Sequence, residues 1–177
     1  MSCPQAVYQW TEVVTTHMPH LSKPQARVLA LWSLGMVLAR SCALSAVSLF
    51  LAKGLERQAN TVRQQLREWG YEAQAKRGGP RQEVAVETCF APLLAWVLSW
   101  WEGNQLALAV AATTLGQRVV VLVVSALYRG CAIPVAWTVL PATEKHAWRG
   151  EWLRMLRPVR TVVPRRFFVL VLAARGW

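Results

Sequence analysis

Aspartate is absent from this 177-residue sequence, and all nine acidic residues are glutamate. Any chemistry that needs an aspartate side chain is therefore excluded. The four cysteines, Cys3, Cys42, Cys89 and Cys131, are scattered and form no C-x-x-C pair, so we expect free thiols in a reducing compartment, although four cysteines could in principle form disulfides. The N-terminus lacks the basic start and apolar core of a signal peptide, and we expect a cytoplasmic protein.

Positive charge is plentiful where negative charge is scarce, and it is unevenly placed. The net charge is +11; residues 1–104 hold ten Lys or Arg and seven Glu, whereas residues 105–177 hold ten and two. Such a basic excess favours a polyanionic partner, most simply nucleic acid, with an anionic membrane second. An apolar share of 54% and ten tryptophans predict a packed core.

A membrane span has to be weighed for residues 28–52, which are long enough to cross a bilayer. Arg40 is the one charge in this stretch, and an arginine at the centre of a spanning helix costs about 2.5–3.5 kcal/mol. Arg40 also divides the stretch into two pieces of ordinary helix length. We therefore favour two buried helices and no membrane partner.

Residues 1–104 are predicted to form a helical N-terminal region. Pro24 follows Ser22 at a helix start, and Gly54 ends a second helix that begins at Leu44. A third helix is expected to begin near Thr61, because Thr61-x-x-Gln64 has the form of a capping box. A basic Gly/Pro-rich linker and a Trp-rich helix follow, at residues 76–81 and 90–101.

Residues 105–177 change to a strand pattern with one helix. Apolar strands are predicted at 106–112, 118–127, 131–140 and 167–174, with a helix at 145–157. Runs this apolar fit central strands that are buried on both faces, although Pro134 suits an edge or a bulge. The fold class is α/β, with an incomplete ribonuclease H-like mixed sheet in the order strand-strand-strand-helix-strand, its first and fourth strands adjacent.

Several segments carry a family resemblance. LALAVAATTLGQRVVVLVVSALYRGCAIPVAW and VLVLAARGW resemble the catalytic domain of bacterial insertion-sequence DDE transposases, in particular the group with Leu-Asp-Ala-Thr-Thr-Leu and Leu-Ala-Asp-Arg-Gly motifs. The stretches ANTVRQQLREWGYEA and CFAPLLAWVLSWW are similar to the amino-terminal helices of the same group. The resemblance extends from about Leu21 to the end of the sequence.

The resemblance implies DNA strand transfer by two Mg²⁺ ions held on two Asp and one Glu, since hard cations need oxygen ligands. The decisive positions differ here: Ala111 and Ala174 stand where the motifs have Asp, and the Glu would fall beyond Trp177. We therefore expect a truncated, catalytically inactive chain with no bound metal or other cofactor. By the same resemblance, a sheet that stops after its fourth strand would leave apolar surface uncovered.

DNA contact is the expected role of several cations. Arg63 and Arg67 lie four residues apart on the helix that follows the one at 44–53, in helix-turn-helix style, where they would contact phosphates. An ordinary solvated helix face remains the alternative. The full set of candidate DNA-binding residues is Arg63, Arg67, Lys76, Arg77, Arg149, Arg154 and Arg175.

Three hypotheses for the function remain. The first is an inactive transposase-like protein that keeps DNA affinity and takes no small-molecule substrate. The second is a DNA-binding regulator or inhibitor that pairs with a full-length transposase or with itself. The third, with less support, is a small basic membrane protein.

Overall fold

The computed structural model describes residues 2–76, 82–143 and 148–173, so Arg77, Glu144, Ala174 and Arg175 lie outside the described residues. The chain divides into two compact units, Met1–Ala85 and Val86–Trp177. The described residues form six α-helices and one four-stranded mixed sheet, which confirms the α/β class. The division falls nearer the N-terminus than residue 104, because the Trp-rich helix packs with the sheet.

The first unit contains four α-helices within its described residues: α1 (Cys3–His17), α2 (Lys23–Ala39), α3 (Leu44–Gly54) and α4 (Ala59–Trp69). The predicted start at Ser22 is confirmed, because the Ser22 backbone N–H donates to Gln25 Oε1 at 2.8 Å in a capping box. The predicted capping box at Thr61 is wrong: α4 begins at Ala59, and the Thr61 N–H donates to the Gln58 carbonyl at 3.1 Å.

The α2–α3 junction divides the stretch that was weighed as a membrane span. Arg40 adopts the left-handed conformation, with φ of 50°, and α2 and α3 meet at a bend of 97°. In the described part of the chain no single helix is long and apolar enough to span a membrane, although this bent pair passes the test by length and composition. Two separate helices therefore form here, as the position of Arg40 predicted.

The second unit contains α5 (Phe90–Ser99), β1 (Gln105–Leu115), β2 (Val119–Tyr128), β3 (Cys131–Pro141), α6 (Arg149–Val162) and β4 (Phe168–Ala173). The strand order is β3-β2-β1-β4. Strand β2 is antiparallel to both β1 and β3, and β4 is parallel to β1. The adjacency of the first and fourth strands is confirmed. The predicted position of Pro134 is also confirmed. It lies on the edge strand β3, at the β-bulge where the register shifts between Val124 and Ser125.

The helix between β3 and β4 lies further along the chain than predicted. Its described residues run from Arg149 to Val162 and include Pro158, whereas the sequence placed it at 145–157. The helix continues through the proline because helical turns precede Pro158 and because Met155 and Val159 are both buried against the sheet. Residues 145–147 are outside the described ranges.

The core of the second unit covers one face of the sheet. Leu106, Leu108 and Val110 are at most 5% exposed, and they alternate with half-buried alanines along β1. The helices supply the other side of this core through Phe90, Leu94, Trp152, Met155 and Val159. The expectation of strands buried on both faces is therefore wrong for β1, and β4 is exposed along its whole length.

Candidate nucleic-acid interface

The third and fourth helices form a helix-turn-helix pair. Residues 55–58 connect α3 to α4, and Glu56 in this turn has a φ of 53°, which reverses the chain. Val47 and Leu51 of α3 pack in one core with Val62 and Leu66 of α4, and all four are at most 1% exposed. This core fixes which face of α4 points outward.

The outward face of α4 is polar and cationic. Asn60, Thr61, Arg63 and Arg67 are exposed there. Arg63 and Arg67 lie four residues apart and so share one face of the helix. The Arg67 guanidinium lies 5.7 Å from the centroid of the Tyr71 ring, and Arg63 has no ion pair with any described residue. The structure thus brings together the two arginines that the sequence selected.

An open cleft lies between the start of α2 and the side of α4. Its volume is about 1030 Å³, and its lining is rich in amide side chains: Gln25, Asn60, Gln64, Gln65 and Gln82. Arg57 supplies a positive charge to the same cleft, where its Nη1 donates to Gln65 Oε1 at 3.1 Å. Amides and a guanidinium can donate hydrogen bonds to phosphate oxygens and to base edges.

Two hydrogen bonds hold the wall of this cleft in place. Gln64 Nε2 donates to Glu68 Oε1 at 2.7 Å, and Trp69 Nε1 donates to the Gln25 carbonyl at 3.1 Å. The second bond ties the end of α4 to the start of α2. Sequence reasoning missed the cleft, although the recurring Gln and Asn residues of α4 were visible in the sequence.

One cation of the loop that follows α4 already donates a hydrogen bond to the backbone of this loop. Lys76 lines the cleft, and its Nζ donates to the Gln82 carbonyl at 2.9 Å. That bond leaves the ammonium group with two further donors. Lys76 therefore stays available for phosphate contact beside Arg57.

The two candidate arginines of α6 differ in their surroundings. Arg154 lies 2.7 Å from Glu151 and 3.5 Å from Glu87, and its Nη2 also donates to Thr138 Oγ1 at 3.3 Å. Arg149 is exposed and has no ion pair with a described residue. The structure therefore engages Arg154 within the protein, whereas Arg149 stays a candidate for phosphate contact.

The segments of β1 and β4 that carry the resemblance lie next to each other, but Ala111 lies inside β1, which continues to Leu115 and not only to residue 112 as predicted. The parallel β1–β4 ladder ends at the pair Val110 and Ala173, the residues directly before Ala111 and Ala174 in the sequence. Ala111 pairs with Val123 of β2 on its other side. Among residues 2–76, 82–143 and 148–173, no group of three His, Cys, Asp or Glu is placed to hold a metal ion.

The nearest glutamate in sequence to β1 is engaged at the other end of the strand. Glu102 precedes β1, and its Oε2 accepts a hydrogen bond from Arg129 at 2.6 Å. This hydrogen bond and the charge of Glu102 raise the pKa of Arg129. Glu102 therefore lies before the start of β1, nine residues from Ala111 in the sequence, and is engaged by Arg129.

No protein-family model, curated protein or solved structure matches this chain.

Proposed function

We propose that this chain is a transposase-like DNA-binding protein in which Ala111 and Ala174 stand in place of metal-binding carboxylates. One observation supports this proposal above the others. The strand order β3-β2-β1-β4, with β4 parallel to β1, is the order that an incomplete ribonuclease H-like sheet would have. In this order the β1–β4 ladder pairs Val110 with Ala173, the residues directly before Ala111 and Ala174 in the sequence, and this pairing supports the proposal.

The chemistry proposed for this site is binding without strand cleavage. A two-metal mechanism needs carboxylates that hold both ions while attacking and leaving oxygens exchange. The methyl groups of Ala111 and Ala174 supply no ligand oxygen. The chain would therefore bind DNA without needing Mg²⁺ and would leave phosphodiester bonds intact.

DNA binding is assigned in this proposal to the first unit. α4 presents Arg63 and Arg67 on its outward face, and the neighbouring cleft adds Arg57, Lys76 and amide groups. Phosphate contacts from such cations position a helix on a duplex. Such a protein can occupy DNA ends that an intact transposase would use, and so act as its regulator or inhibitor.

The test is a fluorescence-anisotropy titration of a labelled DNA duplex at two salt concentrations. We expect binding that weakens with salt, because each phosphate contact contributes about 0.9 to the slope of log K against log salt. The double variant Arg63→Glu/Arg67→Glu should lower that slope by about 2 and weaken binding at low salt. A matched control is Arg27→Glu/Lys53→Glu, which changes the net charge equally on exposed positions of α2 and α3.

Equal losses in the two double variants would show that net charge, and not the α4 face, determines binding. The absence of any salt-dependent binding would contradict the proposal as a whole. Incubation of the same duplex with the purified chain and Mg²⁺ or Mn²⁺ tests whether the chain leaves phosphodiester bonds intact. Cleavage by the purified chain would overturn the proposal that Ala111 and Ala174 leave the chain without catalytic carboxylates.

A further inference from the structure

Strand β4 forms an edge of the sheet that no described element of the chain covers. It lies beside β1 at the end of the strand order, and its sequence, FVLVLA, has no charge and no proline. Phe168 is 67% exposed, and Val169, Leu170, Val171 and Leu172 are between 40% and 51% exposed. Edge strands are usually protected by charges, prolines, bulges or a covering element, and β4 has none of these among the described residues.

The backbone of β4 offers hydrogen bonds on its outer side. The Phe168 N–H donates inward to the Asn104 carbonyl at 2.8 Å. Backbone groups in a strand alternate in direction, so those of Val169 and Val171 point away from β1. Each of these two residues can donate one N–H and accept at one carbonyl from an added strand.

The side chains of β4 present apolar surface on both faces. Val169 and Val171 lie opposite Leu106 and Leu108, whose side chains are buried on the helix-covered face. Leu170 and Leu172 lie opposite Ala107 and Ala109 on the other face. An added strand with apolar side chains would extend the core over the first pair and cover part of the second.

The charge beside β4 indicates what kind of chain fits there. Arg165 and Arg166 are exposed directly before the strand, and neither has an ion pair with a described residue. Residues 86–177 hold ten Lys or Arg and four Glu, a net charge of +6. A second copy would bring the same positive charge to the edge, whereas an acidic chain would complement it.

We propose that β4 is a docking edge for an extended segment of an acidic partner protein. The segment adds to β4 as a fifth strand, with main-chain bonds to Val169 and Val171 and acidic side chains next to Arg165 and Arg166. Main-chain pairing supplies affinity in this mode of recognition, and side chains supply selectivity. The proposal does not depend on DNA binding by α4.

The probe is a fluorescein-labelled peptide of alternating Val and Thr with a pair of glutamates at each end. A second peptide has lysine pairs instead and is otherwise identical. Anisotropy titrations with the full chain should show the acidic peptide binding at least about tenfold more tightly, because like charges at an interface are unfavourable. Equal affinity for the two peptides would overturn the acidic character of the partner.

Two variants locate the contact. Val171→Pro removes an N–H that points outward and spares the bonds to β1, so we expect it to abolish peptide binding and leave the circular dichroism spectrum unchanged. Val171→Thr keeps the N–H and serves as the matched control, which should bind as the parent does. Binding by the proline variant at parent strength would remove β4 as the docking edge.

The charge variant Arg165→Glu/Arg166→Glu completes the test. It lies outside the strand, and it should reverse the preference so that the lysine-ended peptide binds more tightly. Sedimentation of the parent chain and of Val171→Pro detects self-association. A dimer that the proline disrupts, together with no binding of either peptide, would overturn the proposal in favour of a second copy.

Discussion

The two units carry nearly the same charge but differ in what they expose. Residues 1–85 hold ten Lys or Arg and five Glu, and residues 86–177 hold ten and four. The first unit buries the apolar face of α4 and exposes arginines and amides on the opposite side. The second unit covers one face of its sheet and leaves β4 exposed along its length.

This contrast shows that two units of nearly equal net charge can place their cations in different surroundings. In the first unit the cations lie beside an open polar cleft, where hydrogen-bond donors accompany them. In the second unit Arg154 is engaged by Glu151 and Glu87, and Arg165 and Arg166 flank an apolar strand. Cations therefore lie beside a polar cleft in the first unit and beside an apolar strand in the second.

The largest effects are expected from core truncations that test whether the units are stable separately. Leu66 in the first core and Leu122 in the second are both 0% exposed. Replacing either by alanine should lower the free energy of unfolding of its own unit by about 2–5 kcal/mol, from lost burial and the cavity left behind. Hydrogen exchange followed by mass spectrometry resolves peptides from each unit and checks this.

The control for each truncation is the other unit within the same experiment. Leu66→Ala should accelerate exchange in peptides of residues 1–85 and leave those of 86–177 unchanged, and Leu122→Ala should do the reverse. Acceleration of exchange in both units by either variant would show that they unfold as one cooperative body. The two units could then not be compared as separately stable bodies.

Much of the fold could be predicted from the sequence because strong local signals marked it. The capping residues at Ser22, the interruption at Arg40 and the valine-rich run of β2 each determined an element that the structure contains. The apolar run of β4 predicts burial on both faces, which is wrong, because such a run reports a preference for burial and not which element covers it. The exposed strand agrees with the other expectation, that the fourth strand leaves apolar surface uncovered. The cleft was missed because its walls come from residues far apart in sequence, such as Gln25 and Gln64.

Alanine substitutions at two glycines of the first unit should change its stability by different, smaller amounts. A Cβ on Gly35 would lie 2.8 Å from Val47 Cγ1 and 2.9 Å from Leu51 Cδ1, both in fully buried side chains. Gly35→Ala should destabilise the unit, because overpacking costs about 1–3 kcal/mol and improved helix propensity offsets only about 1 kcal/mol. Thermal unfolding followed by circular dichroism measures the change.

Gly70→Ala is the matched control for this substitution. Gly70 follows α4 with a negative φ of −87°, and no atom lies within 4 Å of the place its Cβ would take. We expect its unfolding temperature to stay close to that of the parent. A drop equal to that of Gly35→Ala would mean that the close approach of α2 and α3 does not require glycine.

The smallest expected effect concerns thiol reactivity within the second unit. Burial raises the pKa of Cys89, with a lesser opposing contribution from its hydrogen bond to Thr88, whereas Cys131 is exposed at the start of β3. A raised pKa lowers the thiolate fraction at a given pH, and the thiolate is the reactive form. Iodoacetamide at neutral pH should therefore alkylate Cys131 before Cys89, as mass spectrometry of timed samples would show. In urea the two rates should converge, because the difference arises from the fold; a difference that persists in urea would assign it to local sequence instead.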